Sequence, residues 1–99
     1  MLEDAAFSID TTGQRVVVRG ELDLATAPRL ERALRELGGD ITVDCQHLDF
    51  IDSTGLGVLA QAHARMAEQD RRLVIEGLSP RCRRVFEVAG LDEGLNLVP

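Results

Sequence analysis

The sequence predicts a single α/β domain over residues 1–99, with a mixed β-sheet and helices packed mainly on one face. Short β-branched runs alternate with longer segments whose apolar residues recur at helical spacing, as in strands joined by crossover helices. Two helix starts are marked by a hydroxyl residue and a nearby proline, at Thr26 with Pro28 and at Ser79 with Pro80. A length of 99 residues fits one domain. The predicted order is ββαβαβαβ.

The first third of the chain predicts a β-hairpin followed by a helix. Residues 7–10 alternate between apolar and polar side chains, and residues 15–19 contain three consecutive valines. The segment 11–14 reads as the turn between these two strands. We expect Thr26 to cap the helix and the glycines at 38–39 to end it. The apolar stripe of this helix is Leu30, Ala33, Leu34 and Leu37.

The middle of the chain predicts a short buried strand and a second helix. Residues 41–45 form the strand, and residues 49–55 form the connection into the helix. His47 is expected in a loop. The expected buried side of the helix comprises Leu56, Leu59, Ala60, His63, Ala64 and Ala67.

The last third predicts one more strand–helix–strand unit. Residues 73–75 form a buried strand after a turn at 70–72, and Ser79 caps the third helix. Gly90 is expected to end that helix, and residues 95–97 form a weak last strand. The third helix has the apolar stripe Cys82, Val85, Phe86 and Ala89.

Composition narrows the class of protein. Eleven basic against 17 acidic residues give a net charge of −6, which argues against nucleic acid because such binding depends on Lys and Arg. No apolar run approaches the roughly 20 residues of a membrane span. Glu3 and Asp4 near the start argue against a secretory leader. Two cysteines, Cys45 and Cys82, are expected to be reduced and buried. We therefore expect a cytoplasmic domain that binds neither membranes nor nucleic acid.

The segment from Asp49 to Leu59 contains the strongest functional signal. Ser53 stands just before an apolar helix, at the position expected for its N-cap. Gly55 and Gly57 each cost the first turns of a helix roughly 0.5–1 kcal/mol relative to alanine. Their presence predicts a helix start without side chains at these positions, where another molecule approaches the backbone closely. A cap without further function would also explain Ser53.

Two short motifs stand out, Gly20-Glu21-Leu22-Asp23 and Asp52-Ser53-Thr54-Gly55-Leu56-Gly57-Val58-Leu59. Together they resemble the motifs of the STAS-domain family of bacterial anti-sigma factor antagonists. The late segment Ser79-Pro80…Val85-Phe86…Gly90-Leu91 and the element order also match, so the resemblance covers nearly the whole chain. Family members commonly continue past the last strand into a closing helix, whereas this sequence ends at Pro99. The sheet face that such a helix would cover is therefore expected to be short, exposed or covered by a partner.

The resemblance implies a partner-switching regulator and not an enzyme. In that family an anti-sigma factor that is itself a serine kinase phosphorylates the serine after the loop aspartate, which is Ser53 here. Thr54 is the competing acceptor. The unphosphorylated form binds the anti-sigma factor and frees a sigma factor, and a PP2C-type phosphatase restores the serine. The residues expected to contact the partner are Glu21, Asp23, Asp49, Asp52, Thr54, Gly55 and Gly57.

Other chemistries have weaker support. A hydrolase would pair Ser53 with His47 or His63, but the Gly-x-Ser-x-Gly elbow is absent. The histidines and cysteines lack the paired spacing of metal ligands, and no glycine-rich phosphate loop indicates a nucleotide cofactor. A redox-sensitive disulfide between Cys45 and Cys82 stays open. So does a different STAS role, as an accessory subunit of a lipid-transport ATPase or a scaffold of a stress complex, without a phosphorylation switch.

Overall fold

A five-stranded mixed sheet is the centre of the computed structural model, which describes residues 7–99. The expectation drawn from Glu3 and Asp4 lies outside the described residues. The strands lie in sequence order across the sheet, the first pair antiparallel and the others parallel. They are β1 (Phe7–Thr12), β2 (Arg15–Leu22), β3 (Ile41–Ile51), β4 (Leu73–Glu76) and β5 (Asn96–Val98).

Three helices connect the parallel strands of this described region. They are α1 (Ala27–Arg35), α2 (Ser53–Ala67) and α3 (Pro80–Val88). The order ββαβαβαβ is therefore confirmed. Because the joined strands are parallel, each helix starts at the carboxyl end of the strand before it. Helix α2 therefore starts at the carboxyl end of β3.

The core lies on one face of the sheet, under all three helices. Val16, Val43 and Ile75 are neighbours on adjacent strands and are fully or almost fully buried. Each helix contributes buried side chains to the same cluster, as Leu30 of α1 and Phe86 of α3 illustrate. The predicted placement of the helices on one face is confirmed.

The opposite face of the sheet carries a polar cluster. Arg15 donates hydrogen bonds to the carboxylates of Asp44 (2.9 Å) and Glu76, one strand and two strands away. Asp44 is only 7% exposed and also accepts a bond from the backbone N–H of Gln46 at 2.9 Å. Burial pushes the pKa of Asp44 upward, but the bonds from Gln46 and Arg15 outweigh it and hold the pKa below its usual value.

The third strand is longer than predicted. It runs for 11 residues to Ile51, so His47 and Asp49 lie in β3 and not in a loop. Register shifts against β2 place extra residues in this part of β3. These irregularities leave Gln46 and His47 both exposed. Because the alternation of buried and exposed residues is broken there, the sequence pattern did not predict that the strand continues.

The helix boundaries and stripes also differ in part from expectation. Helix α1 ends at Arg35, before the predicted glycine stop, whereas α3 is followed, as predicted, by Gly90 with a positive φ of 74°. In α2 the expected Ala64 and Ala67 are exposed, and the buried stripe also includes two residues that the sequence reading missed. Those two are Ala62 and Met66.

Candidate functional site

The two sequence motifs meet where β2 and β3 end. Leu22 pairs with Ile51 across the parallel ladder, and the backbone N–H of Asp52 donates to the carbonyl of Leu22 at 3.2 Å. Asp23, the next residue of the first motif, therefore lies in the loop beside Ser53.

Asp52, and not Ser53, is the N-cap of α2. Its Oδ1 accepts hydrogen bonds from the backbone N–H groups of Thr54 (2.9 Å) and Gly55 (3.1 Å). The prediction that Ser53 caps the helix was wrong by one position, because a carboxylate and a hydroxyl are both good caps and they are adjacent here. The correction leaves the Ser53 side chain out of the capping interaction.

Ser53 is the first residue of α2 and is exposed. Thr54 is only partly exposed. Of the two neighbouring hydroxyl-bearing residues, Ser53 is the more exposed, and it lies at the positive end of the helix dipole.

The two glycines of α2 have different roles. Gly55 is buried, and a Cβ built there would lie 2.7 Å from Cγ and 2.9 Å from the carbonyl oxygen of Leu22. It allows α2 to pack against the end of β2, so the interpretation that Gly55 opens the helix entrance to another molecule was wrong. A Cβ at Gly57 would meet nothing within 4 Å. Gly57 is four residues after Ser53 and thus on the same side of the helix.

Asp23 organises the loop between β2 and α1. Its Oδ1 accepts bonds from the backbone N–H groups of Ala25 (3.0 Å) and Thr26 (3.1 Å). Thr26 is the N-cap residue of α1, as predicted, but its side chain makes no capping bond. Its hydroxyl instead donates to the carbonyl of Glu21 at 2.7 Å. The Glu21 side chain is exposed, and Leu24, which the sequence reading did not single out, is 74% exposed.

Asp49 is separate from the other acidic residues of the site. It is exposed on β3, where it borders a depression at the start of α3 together with Ser79 and Arg81. The connection between β3 and α2 is a single residue, Asp52. The prediction that residues 49–55 form the connection into α2 was therefore wrong, and Asp49 lies in β3.

An apolar groove opens directly beside Ser53, between the start of α2 and helix α3. Its volume is about 340 Å³. Val88, on its α3 side, is 75% exposed. The lining residues are Ser53, Leu56, Arg84, Val85, Val88 and Ala89. The sequence analysis did not predict this groove. A signal for it was Val88, an aliphatic residue that follows Val85 at helical spacing but is not part of the predicted apolar stripe of the third helix.

The histidines do not support an activated serine. His63 is ten residues beyond Ser53 on α2, which at 1.5 Å per residue is about 15 Å along the helix axis. His47 is exposed on β3. Neither side chain is placed as a general base for Ser53.

The two cysteines are buried free thiols. Burial, with smaller contributions from Cys82 and Asp44, raises the pKa of the Cys45 thiol to about 12. The thiol of Cys82 faces the carbonyl of Leu48 at 3.7 Å. Within residues 7–99 no cluster of three or more His, Cys, Asp or Glu could hold a metal ion, and no helix is long and apolar enough to cross a membrane.

The ββαβαβαβ order, with an exposed serine at the start of the helix that follows a parallel strand, is the arrangement expected of the STAS-type domain that the sequence motifs resemble. The family model described as "Mlab, STAS domain" matches residues 5–99. An anti-sigma-B factor antagonist of Staphylococcus aureus (strain NCTC 8325 / PS 47) is 37% identical over 94 residues, covering 87% of each chain. This chain belongs to the STAS-domain family of anti-sigma factor antagonists.

Solved structures agree with this assignment. The crystal structure of an anti-sigma factor antagonist from Mycobacterium paratuberculosis superposes with a TM-score of 0.74 at 26% identity, covering 94% of this chain and 84% of that one. The phosphorylated form of the Bacillus cell fate determinant SpoIIAA has a TM-score of 0.67 at 24% identity, covering 95% and 92%. At that identity SpoIIAA shows the shared fold alone.

Proposed function

We propose that this protein is an anti-sigma factor antagonist of the bacterial cytoplasm that acts by binding and not by catalysis. In its unphosphorylated form it binds an anti-sigma factor that is an ATPase-type serine kinase, and a sigma factor is released. Phosphorylation of Ser53 ends the binding, and a PP2C-type phosphatase restores it. The named relatives support the antagonist role. The observation that carries the switch is the exposed Ser53 at the start of α2.

Ser53 is preferred to Thr54 as the phosphorylated residue because of exposure. A kinase must bring a nucleotide γ-phosphate in line with the attacking hydroxyl, which requires free space around that oxygen. Ser53 is exposed and Thr54 is partly buried. Thr54 also contributes its backbone N–H to the Asp52 cap, which holds the residue in the first turn.

The effect of the phosphate should fall on the interface and not on the fold. A phosphoserine adds roughly −1.5 to −2 charges at pH 7, attracted by the α2 dipole and repelled by the neighbouring Asp52 carboxylate. Arg84, across the groove, adds a further attraction. These local effects oppose each other. At a partner surface fitted to a small neutral hydroxyl, the dianion costs several kcal/mol, and about 1.4 kcal/mol is a tenfold loss of affinity.

The partner is proposed to contact residues from both loops. Glu21 is exposed, and the space beside Gly57 is open. The residues that are partly exposed next to Ser53 are Asp23, Asp52 and Thr54. Asp49 would contact the partner only at the periphery, beside α3. Gly55 contributes from inside, by letting the helix start lie against Leu22.

Variants of the two hydroxyl residues test the switch. We expect Ser53→Ala to bind the purified kinase as the unmodified protein does and to escape phosphorylation, and Ser53→Asp to bind at least tenfold more weakly in calorimetry. Thr54→Val, a matched change at the next position, should still be phosphorylated. The proposal that phosphate on Ser53 prevents kinase binding would be refuted by equal affinities of the Ala and Asp variants together with unimpaired binding by the phosphorylated protein.

A second candidate function is a different STAS role, because the matching family model is described as "Mlab, STAS domain" and not by an antagonist activity. In that role the domain would be an accessory subunit of a lipid-transport ATPase, or a scaffold, without a phosphorylation switch. Incubation with each ATPase-type anti-sigma kinase of the source bacterium and ATP separates the two functions. Stable phosphate on Ser53 supports the antagonist, and its absence with every kinase supports the accessory role.

A further inference from the structure

The groove beside Ser53 has the character of a binding surface. Leu56, Val85 and Val88 supply aliphatic side chains around a space of about 340 Å³, and Val88 is left 75% exposed. Contiguous apolar surface of this kind on a small domain commonly marks an interaction site.

The apolar surface continues across α3 beyond the groove. Val85 also borders a smaller depression of about 90 Å³ next to Phe50, whose surface is 44% exposed. Val85 therefore joins the two depressions, and the apolar surface extends from Phe50 at the end of β3 to Val88 at the end of α3.

Basic residues frame this surface although the chain as a whole has a net charge of −6. Arg84 lines the groove and Arg81 lines the depression beside Phe50. The nearest acidic contact of Arg84 is Glu87, at 3.7 Å, on an exposed part of the helix. Exposed pairs of this length contribute little, so the Arg84 guanidinium is available to another carboxylate.

We propose that this groove receives an apolar side chain of the anti-sigma factor kinase, and that an acidic residue of the kinase next to that side chain pairs with Arg84. The proposal rests on the proposed function and specifies its interface. Because Ser53 forms part of the groove wall, a kinase active site that reaches the Ser53 hydroxyl also covers the groove. The recognised partner surface is therefore apolar and acidic, and it lies beside the phosphoryl-transfer site.

Two variants with matched controls test this surface by calorimetry against the purified kinase. Val88→Gln replaces an exposed aliphatic side chain by a polar helix former, and we expect affinity to fall at least tenfold. Its control is Ala64→Gln, at an exposed position of α2 away from the groove. The control should stay within twofold, and thermal unfolding should show both variants folded.

Charge reversal tests the acidic character of the partner. Arg84→Glu should weaken binding at least tenfold at low salt, through slower association, and the loss should shrink as salt rises. The control is Arg83→Glu, which makes the same charge change beside the same Glu87, at 3.6 Å, but does not line the groove. We expect Arg83→Glu to bind within twofold of the unmodified protein.

The outcomes separate this proposal from the switch. If Ser53→Asp loses binding while both Val88→Gln and Arg84→Glu bind normally, the switch stands and the groove proposal is wrong. The groove proposal also fails if Val88→Gln leaves kinase binding intact but abolishes self-association in light scattering, since the groove would then join two copies of this chain. If no kinase binds or phosphorylates the protein, both proposals fail.

Discussion

The glycines of α2 provide a paired test of how the site is built. Alanine at Gly55 would place a methyl group 2.7 Å from Leu22 Cγ and 2.9 Å from the Leu22 carbonyl oxygen. Overpacking of this kind costs about 1–3 kcal/mol, partly offset by the roughly 0.5–1 kcal/mol that alanine gains over glycine in a helix. We expect Gly55→Ala to lower the free energy of unfolding by about 1–2 kcal/mol.

The matched control is two residues further along the same helix. Gly57→Ala meets nothing within 4 Å, so only the helix gain applies, and stability should rise by about 0.5–1 kcal/mol. In a domain of this size 1 kcal/mol shifts Tm by about 4–8 °C. Thermal unfolding should therefore place Gly55→Ala about 4–16 °C below the unmodified protein and Gly57→Ala about 2–8 °C above it.

The sign of the difference decides the interpretation. If Gly55→Ala is as stable as the unmodified protein, the close approach of α2 to Leu22 does not constrain this helix start. Kinase binding adds a second readout, because the Gly57 methyl group would stand on the same side of α2 as Ser53. Gly57→Ala should then bind the kinase more weakly although it is more stable, a combination that a purely structural role of Gly57 does not produce.

Three further predictions concern single side chains. Asp52→Ala should cost about 1 kcal/mol in urea unfolding through loss of the α2 cap, whereas Asp52→Asn should keep most of it; equal losses would contradict capping. Because the folded pKa of Asp44 lies below its unfolded value of about 3.9, its contribution to stability should be present above pH 4 and disappear as pH falls through the folded pKa. Asp44→Asn should flatten that part of the pH profile of stability, and an unchanged profile would contradict a lowered pKa of Asp44. Cys45 and Cys82 should react with a thiol reagent only on unfolding, since both are buried, and mass analysis without reductant should find no disulfide; rapid native labelling would contradict their burial.

Local patterns were enough to predict the architecture. The valines of β2, the proline-marked starts of α1 and α3, and the alternation of strands with helices are short-range signals, and each was confirmed. The length of β3 was not predictable in the same way. Its register shifts against β2 put Gln46 and His47 on exposed positions in succession, and only pairing with a neighbouring strand reveals that they are still in a strand.

The functional site was also predicted only in part, because short-range signals indicate some of its features and not others. Ser53 was recognisable from its motif and its place before an apolar helix. The cap is a local contact, but the sequence offers two adjacent capping residues, Asp52 and Ser53, and spacing does not decide between them. The packing of Gly55 on Leu22 depends on a tertiary contact that spacing does not show. The groove with Arg84 needed the relative placement of α2 and α3, so no single segment of the sequence could indicate it.

The most direct test of the account compares the affinity of one purified anti-sigma factor kinase for two forms of this protein. One form is unmodified, and the other has been phosphorylated by that kinase and its modified residue located by mass spectrometry. The account predicts a single phosphate on Ser53 and a Kd at least tenfold higher for the phosphorylated form. A phosphate on Thr54 instead, or equal Kd values for the two forms, would contradict it.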